Sequence, residues 1–260
     1  MDKFSDALKI QGRVIWALTM REIMTRFGRD NIGFLWLLAE PVMFVGGVTV
    51  LWSLELKSIL GNFSIAEFSV VSYSTVLLWR NPSARMVKAI EVNSSLLYHR
   101  AVRPFDIYLS RIFLEYISGT AGFLIIYIAF TAVGITHLPY DPLRMVLGWL
   151  LIAWFSFAFA IATGALSELS DAMEKVWHVV LYFMMPVSGS FFPVNIAPDF
   201  IRNILLYFPL VDATEYFRSG YYGPSFPSYY NLPYTIATIL FMTLLALSLM
   251  AIASRRIEPE

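Results

Sequence analysis

The sequence contains no cysteine, which excludes disulfide bonds and any metal or redox site that depends on thiolate ligands. Histidine is also scarce: His99, His137 and His178 are the only three, and their separations match no metal-ligand spacing. Motifs of zinc metalloproteases and serine hydrolases, such as HExxH and GxSxG, do not occur. We therefore predict no catalytic site, no metal site and no bound cofactor on this chain.

A complete nucleotide-binding motif is missing as well. Residues 28–33, GRDNIG, have the spacing of the two glycines in a phosphate-binding loop, but no Lys-Ser/Thr follows them. A predicted membrane span follows, without the strand that precedes such a loop, so any ATP that drives this protein must be hydrolysed by another chain. The formal net charge is zero, which identifies no partner, and we expect no nucleic acid among the partners.

Apolar residues are abundant, at 58% of the chain with a mean hydropathy of +0.63. Soluble domains usually have about 45–50%. An apolar run of about twenty residues covers the roughly 30 Å hydrocarbon core of a bilayer as a helix. We therefore predict one all-α membrane domain over 1–260 with six transmembrane helices. The predicted spans are 33–54, 63–79, 110–134, 145–166, 176–192 and 232–253, of which the fifth is short and interrupted by Pro186.

The distribution of Lys and Arg predicts the orientation of these spans. If the N-terminus is cytoplasmic, fifteen of the nineteen basic residues fall in cytoplasmic segments. Basic residues are retained on the cytoplasmic side of membrane proteins. We therefore predict a multi-pass protein with both termini in the cytoplasm.

The first segment, 3–27, has apolar residues every three to four positions with basic residues on other faces. This pattern indicates an amphipathic helix on the membrane surface. A helix of a soluble domain has the same pattern, but little other soluble chain is available to cover it. Arg21, Glu22 and Arg26 are the candidate functional residues of this interface helix.

Two further segments lie between spans. Asn81-Pro82 predicts the start of a cytoplasmic amphipathic helix over 82–97, since Asn caps helices and Pro is favoured at the first helical position. The external segment 193–231 contains two short helical patterns, one after Pro198 and one starting at the capping-box sequence Asp212-Ala-Thr-Glu215. Both are too short to span, so we expect re-entrant or interfacial helices that are buried in protein or line a cavity.

Charged and aromatic residues within the spans provide a candidate channel. Glu40 lies inside span one, where a charge costs roughly 2.5–3.5 kcal/mol and should face the bundle interior or a cavity. Aromatic residues near span ends usually form an interface belt, but in a channel they also suit stacking against sugar rings. The candidate channel residues are Trp36, Glu40, Phe44, Trp52, Tyr73 and Trp79.

Several blocks of the sequence resemble one transporter family. The N-terminal block carries Arg21-Glu22-Ile23, Thr25-Arg26-Phe27-Gly28, Gly33-Phe34-Leu35-Trp36 and Glu40-Pro41. Later matches are Ala89–Asn93, Arg103–Asp106, Arg111 with Leu114-Glu115, Met173, Lys175 and Val176, Phe192-Pro193, and Pro209–Val211 with Glu215 and Arg218. Together they resemble the permease subunit of ABC-2 type capsular polysaccharide exporters, the group 2 capsule family, over most of the chain. Relatives often have Asn-Pro where this chain has Phe208-Pro209.

The resemblance implies a homodimer in the bacterial inner membrane that sits on two copies of a separate ATP-binding subunit with Walker motifs. ATP and Mg would bind to that subunit, and this chain would move a lipid-linked acidic polysaccharide. A periplasmic adaptor and an outer-membrane exporter would carry the polymer onward.

The resemblance also implies roles for the segments between spans. The 82–97 helix would couple to the ATPase through Arg85, Lys88, Glu91, Asn93, His99 and Arg100. The external helices would gate the exit through Tyr207, Glu215, Tyr216 and Arg218.

Three alternatives remain open from the residues. The nearest alternative is another ABC-2 permease, for O-antigen, teichoic acid or a drug. A membrane glycosyltransferase needs an acid pair or a metal site near the interface, and the sequence contains no convincing one. A secondary transporter needs a coupling acid in mid-span, for which Glu40 is the candidate.

Overall fold

The computed structural model describes residues 2–27, 39, 42–51, 64–98 and 102–257. Every regular element in these ranges is helical, which confirms the all-α prediction for them. The elements are α1 Asp2–Phe27, α2 Val42–Leu51, α3 Ile65–Phe68, a π-helical segment Ser69–Tyr73, α4 Ser74–Met86, α5 Ala89–Val92, α6 Pro104–Ala132, α7 Pro142–Leu169, α8 Asp171–Val187, α9 Asp199–Leu205, α10 Pro209–Tyr222 and α11 Leu232–Ile257. Short 3-10 turns lie at Ser94–Tyr98, Val194–Ile196 and Gly223–Ser225.

Three helices in the described ranges are long and apolar enough to cross a membrane: α6, α7 and α11. They contain 29, 28 and 26 residues. At 1.5 Å per residue each is roughly 40 Å long, which exceeds the ~30 Å hydrocarbon core. These helices overlap the predicted spans at 110–134, 145–166 and 232–253.

Two of the long helices begin with a capped turn that contains a charged residue and precedes the apolar run. The backbone N–H of Arg103 donates to Asp106 Oδ2 at 2.9 Å, and Pro104 occupies the first turn, where a missing N–H costs nothing. Asp141 Oδ1 accepts a hydrogen bond from the backbone N–H of Arg144 at 3.0 Å. Because of these caps, α6 and α7 start before the apolar spans that hydropathy predicts.

The remaining spans differ from their predicted bounds. The fifth is predicted over 176–192, whereas α8 covers Asp171–Val187 and ends one residue after Pro186. The chain then turns at Gly189, whose φ of +73° suits glycine. Of the first predicted span, 33–54, the structure describes residue 39 and α2.

The predicted start of the cytoplasmic helix over 82–97 is wrong. The second span continues as α3, the π-helical segment and α4, so Pro82 lies inside α4 rather than at a helix N-terminus. A proline in a helix leaves the carbonyl four residues earlier without its N–H partner. Here that carbonyl, Leu78 O, accepts from the Ser156 hydroxyl of α7 at 2.9 Å. This contact compensates for the lost backbone bond, so the helix continues past the proline to Met86.

The chain breaks after Met86 at a residue in the left-handed region. Lys88 has a φ of 51°, which is uncommon outside glycine, and its backbone N–H donates to Ser167 Oγ of α7 at 2.9 Å. The four-residue helix α5 and the 3-10 turn Ser94–Tyr98 follow. The predicted single helix is therefore three short pieces.

Helix α7 is the centre of the bundle and packs against α4, α10 and α11. Its contact with α10 is close because glycines face the opposing backbone. A Cβ added to Gly148 would lie 2.5 Å from Phe217 Cα, and one added to Gly220 would lie 2.4 Å from the Met145 nitrogen. Small residues at helix crossings allow such approach. The start of α7 is thus held by α10, and its last turn lies beside α5.

Candidate functional site

At one end of the bundle, an ion-pair cluster joins α1, α4 and α6. This α1 cluster consists of Glu22, Arg26, Arg85, Arg111 and Glu115. Arg26 donates to Glu22 Oε1 from Nε at 2.8 Å and to Glu115 from Nη1. Arg111 Nε lies 3.3 Å from Glu22 Oε1, and Arg85 Nε lies 3.7 Å from Glu115 Oε1.

Most of this cluster is shielded from solvent. The side chains of Glu22, Arg26, Arg111 and Glu115 are only 6–14% exposed, whereas that of Arg85 is half exposed. Burial disfavours the charge on Arg26, but the carboxylates of Glu115 and Glu22 outweigh that effect and raise its pKa. A buried charge left without its partner costs about 3–5 kcal/mol. The cluster therefore fixes the end of α1 to the bundle.

Helix α1, the predicted interface helix, is docked on α6. Gln11 donates to Asp106 near the start of α6, and Arg21 Nη1 donates to Asn93 Oδ1 at 3.1 Å. Asn93 in turn donates to the Ala89 carbonyl at 2.8 Å. Of the three predicted residues of this helix, Glu22 and Arg26 join the cluster, and Arg21 holds the segment after α5.

The α5 segment is anchored by the last turn of α7. Glu168 Oε1 accepts from the backbone N–H groups of Ile90 at 2.9 Å and Glu91 at 3.3 Å, which caps the N-terminus of α5. Lys88 Nζ lies 2.9 Å from both Glu91 Oε2 and Asp171 Oδ1. The hydrogen bond between Lys88 and Asp171 raises the pKa of Lys88 and lowers that of Asp171.

The predicted coupling residues divide into three groups in the structure. Arg85, Lys88 and Glu91 lie on the α4–α5 surface, together with the exposed side chains of Val92 and Tyr98. Asn93 is buried and holds Arg21, so its role is structural within the described contacts. His99 and Arg100 lie outside the described residues.

At the opposite end, α10 begins earlier than the capping-box sequence predicts. Its first residue is Pro209, preceded by Phe208 in an extended conformation, so Asp212 and Glu215 lie within the helix. Proline is favoured at this first position. The capping-box assignment was wrong, and both acids are instead buried members of a polar network.

The centre of this network is an ion pair between Glu215 and Arg218, whose side chains are both 0% exposed. Arg218 Nη1 donates to the Gly189 carbonyl at 2.7 Å and lies 3.4 Å from Ser72 Oγ of the π-helical segment. Glu215 also accepts the backbone N–H groups of Val194 at 3.2 Å and Tyr229 at 3.3 Å. The pair thus connects four segments, and each charge has several partners.

The Arg218 guanidinium also lies over two aromatic rings. Its carbon is 5.5 Å from the centroid of Phe68 and 5.9 Å from that of Phe226. Cation–π attraction is strongest where water is excluded. Since π-helical segments are frequent at functional sites, the contact between Arg218 and this segment marks a candidate gate.

The other predicted gate residues lie outside the ion pair. Tyr216 packs edge-on against Tyr230, with ring centroids 5.1 Å apart. Tyr207 has an exposed side chain, and its carbonyl accepts from the Tyr234 hydroxyl at 2.9 Å. Sequence reasoning placed all four residues in one region, but only Glu215 and Arg218 contact each other as a pair.

Three of the predicted channel residues lie in or against the hydrophobic core within one chain. Tyr73 packs edge-on against Phe191 at 4.8 Å, and Trp79 lies 6.2 Å from Phe159 between ring centroids. Both are fully buried, and Phe44 is half-buried against the same core. A channel role for them stays a prediction. Trp36, Glu40 and Trp52 lie outside the described residues.

A pocket of about 610 Å³ near α9 and the start of α11 was not predicted. Four tyrosines and two asparagines contribute to its wall: Tyr207, Tyr229, Tyr230, Tyr234, Asn203 and Asn231. The run Ser-Tyr-Tyr-Asn at 228–231 was the available sequence signal. Within the described ranges, no group of three or more His, Asp or Glu residues is arranged to hold a metal ion.

Comparison with known proteins gives a consistent result. A model of the ABC-2 type transporter family matches residues 13–222. The capsule polysaccharide export inner-membrane protein CtrC of Neisseria meningitidis serogroup B is 36% identical over 257 residues, covering 99% of this chain and 97% of that protein. BexB of Haemophilus influenzae, of the same description, is 34% identical with the same coverage. The polysialic acid transport protein KpsM of Escherichia coli is 26% identical over 235 residues, 89% of this chain and 91% of that protein.

Proposed function

This chain belongs to the ABC-2 type transporter family, and we propose that it is the membrane-spanning subunit of an exporter that moves lipid-linked acidic capsular polysaccharide across the inner membrane. The observation that carries the proposal is its similarity, over 99% of its length, to capsule polysaccharide export inner-membrane proteins. The more distant similarity to a polysialic acid transport protein supports an acidic polysaccharide as the substrate.

The energy for transport would come from another subunit. The sequence has no complete phosphate-binding loop, so the proposed complex is a homodimer of this chain with two copies of an ATP-binding subunit that carries the Walker motifs, ATP and Mg. A periplasmic adaptor and an outer-membrane exporter would receive the polymer. The permease itself would perform no chemical step.

The proposed topology has six spans with both termini in the cytoplasm, as the distribution of Lys and Arg supports. In this orientation the α1 cluster and α5 face the cytoplasm, and α9 and α10 face the periplasm. The α4–α5 surface would then dock on the ATPase. Arg85 and Glu91 provide charge there, and exposed Val92 and Tyr98 provide apolar area. Such a mixture is typical of protein interfaces.

The contacts of α7 support a mechanical route between the two ends. Movement of α5 would reach α7 through Ser167 and Glu168, which bind the backbone of the α5 segment. The other end of α7 packs on α10 at Gly148 and Gly220, where the backbones leave no space for sliding. We propose that α10 then shifts against the π-helical segment, and that the Glu215–Arg218 network limits this opening to the driven state.

Export from cells tests the proposal. Deletion of the gene should leave capsular polymer inside the cell and remove it from the surface, and the wild-type gene should restore it. We expect Glu91→Lys to insert normally but not restore export, because the reversed charge faces Lys88 on the docking surface.

Asp6→Lys is the matched control for this variant. Asp6 is an exposed acid that pairs with a lysine three residues away, as Glu91 does, with 68% against 64% of the side chain exposed. Normal surface polymer in the deletion strain would contradict the proposed export function. Normal export by the Glu91→Lys variant would contradict only the proposal that the α4–α5 surface docks on the ATPase.

A further inference from the structure

The pocket beside α9 and α11 has a lining that suits a sugar. Its volume of about 610 Å³ lies within the roughly 300–1,000 Å³ of small-molecule sites. We call it the tyrosine pocket, defined by Tyr207, Tyr229, Tyr230, Tyr234, Asn203 and Asn231. Aromatic faces are electron-rich and attract the polarised C–H groups of a sugar ring, and amides bind its hydroxyls.

Three of the four tyrosine side chains are held in place by contacts, whereas that of Tyr207 is largely exposed. Tyr234 donates its hydroxyl to the Tyr207 carbonyl, and Tyr230 packs edge-on against Tyr216. The Arg202 guanidinium lies over the Tyr229 ring at 4.8 Å from its centroid. Rings held in this way lose little freedom when a ligand binds, which favours binding.

A buried carboxylate in the pocket wall points to a polar ligand. Asp212 lines the pocket and is almost fully buried. Its Oδ2 accepts from the Asn231 N–H at 2.9 Å and from the Thr235 hydroxyl at 3.0 Å. Its Oδ1 is buried and has no hydrogen-bond partner among the described residues. A buried acceptor of this kind is costly unless a donor reaches it, and a hydroxyl-rich ligand supplies such donors.

We propose that the tyrosine pocket binds a sugar residue of the exported polysaccharide after it has passed the α10 gate. The inference rests on the proposed export function and adds a periplasmic subsite to it. An acyl chain fits the pocket less well, because it has no donor for Asp212 Oδ1.

Photo-crosslinking in capsule-producing cells tests contact with the polymer. A photoreactive amino acid at Tyr207, whose side chain is 73% exposed, should capture capsular polysaccharide during export. The matched control is Phe200, an aromatic residue of α9 that is 75% exposed and is not part of the pocket lining. Capture of polymer at 207 but not at 200 supports the subsite. Capture of a protein alone at 207 overturns it and makes this face a docking surface.

A binding measurement separates this inference from the export function. The probe is a short oligosaccharide fraction prepared by partial hydrolysis of the same cells' capsule, titrated against the purified full chain. Tyr207→Ala should raise the Kd roughly fivefold, the effect of one aromatic stacking contact, and Phe200→Ala should not change it. Because the Tyr207 hydrogen bond uses the backbone carbonyl, the variant keeps it.

Equal Kd values for wild type and Tyr207→Ala would overturn the subsite. If the deletion strain has also lost surface polymer, the export function stands without it. If deletion leaves surface polymer unchanged, the export function itself fails, whatever the Kd values are.

Discussion

Replacement of Arg218 by alanine should be among the most destabilising single changes in this chain. The side chain is fully buried and binds Glu215, the Gly189 carbonyl and two aromatic rings. Removing it leaves the Glu215 carboxylate in a buried site without its counter-charge, although two backbone N–H groups still donate to it. Breaking a buried pair from one side costs about 3–5 kcal/mol, and we expect a loss in this range.

Two further variants separate charge from packing. Adding Glu215→Gln to Arg218→Ala should recover part of the loss, because a neutral amide needs no counter-charge. Arg218→Lys should lose about 1–3 kcal/mol, because an ammonium group cannot bind Glu215 and the Gly189 carbonyl with the same planar fork.

The assay is unfolding of the purified protein in detergent, followed by tryptophan fluorescence. Arg144→Ala is the matched control, since Arg144 pairs with Asp141 at the same spacing but both side chains are over one-third exposed. That control should cost no more than about 1 kcal/mol. If Arg218→Ala costs no more than Arg144→Ala, the buried network does not stabilise the α10 end.

Further changes test other contacts by the same unfolding measurement. Glu115→Ala should cost about 1–3 kcal/mol, because it removes one of the two carboxylates of the mostly buried α1 cluster and leaves Arg26 paired with Glu22 alone; a loss below 1 kcal/mol would contradict that role. Gly220→Ala should cost about 1–3 kcal/mol, since its Cβ would lie 2.4 Å from a backbone nitrogen of α7. The control Gly12→Ala has open space around the added Cβ and should be neutral or slightly stabilising. Equal effects of the two changes would contradict the close packing of α7 and α10. The hydrogen-bonded ion pair with Lys88 lowers the pKa of Asp171. The stabilisation from this pair is therefore present above the unfolded pKa of about 4 and is lost as the pH falls through the folded pKa. The stability difference from Asp171→Asn should therefore disappear in acid, and one that persists there would argue against the pair.

The helical architecture was predictable because apolar runs and capped turns are local signals. Hydropathy identifies the runs now seen in α6, α7 and α11. It places the start of α6 six residues late, because Asp106 interrupts the apolar run in the first turn, where its carboxylate accepts from the Arg103 N–H and caps the helix. A boundary of this kind requires cap geometry in addition to hydropathy.

The Asn81-Pro82 sequence shows where local rules failed. It has the residues of a helix start, yet α4 continues through it because Ser156 binds the carbonyl that Pro82 leaves free. That contact joins residues 78 positions apart in the sequence, so no window around Pro82 reveals it.

The polar network of α10 was not predicted, for the same reason. Asp212 and Glu215 match a capping box, but their partners lie in the segments around Val194 and Tyr229, which only the folded chain brings together. The family resemblance selected Glu215 and Arg218 as gate residues, and the structure adds how they are paired.

We propose that a separate ATPase drives transport by this chain. The most direct measurement is affinity purification of the tagged protein from its native cells in mild detergent, followed by mass spectrometry and an ATPase assay. We expect recovery of a Walker-motif subunit in equal amount, with vanadate-sensitive ATP hydrolysis. Recovery of this chain alone, without ATPase activity in several detergents, would contradict it.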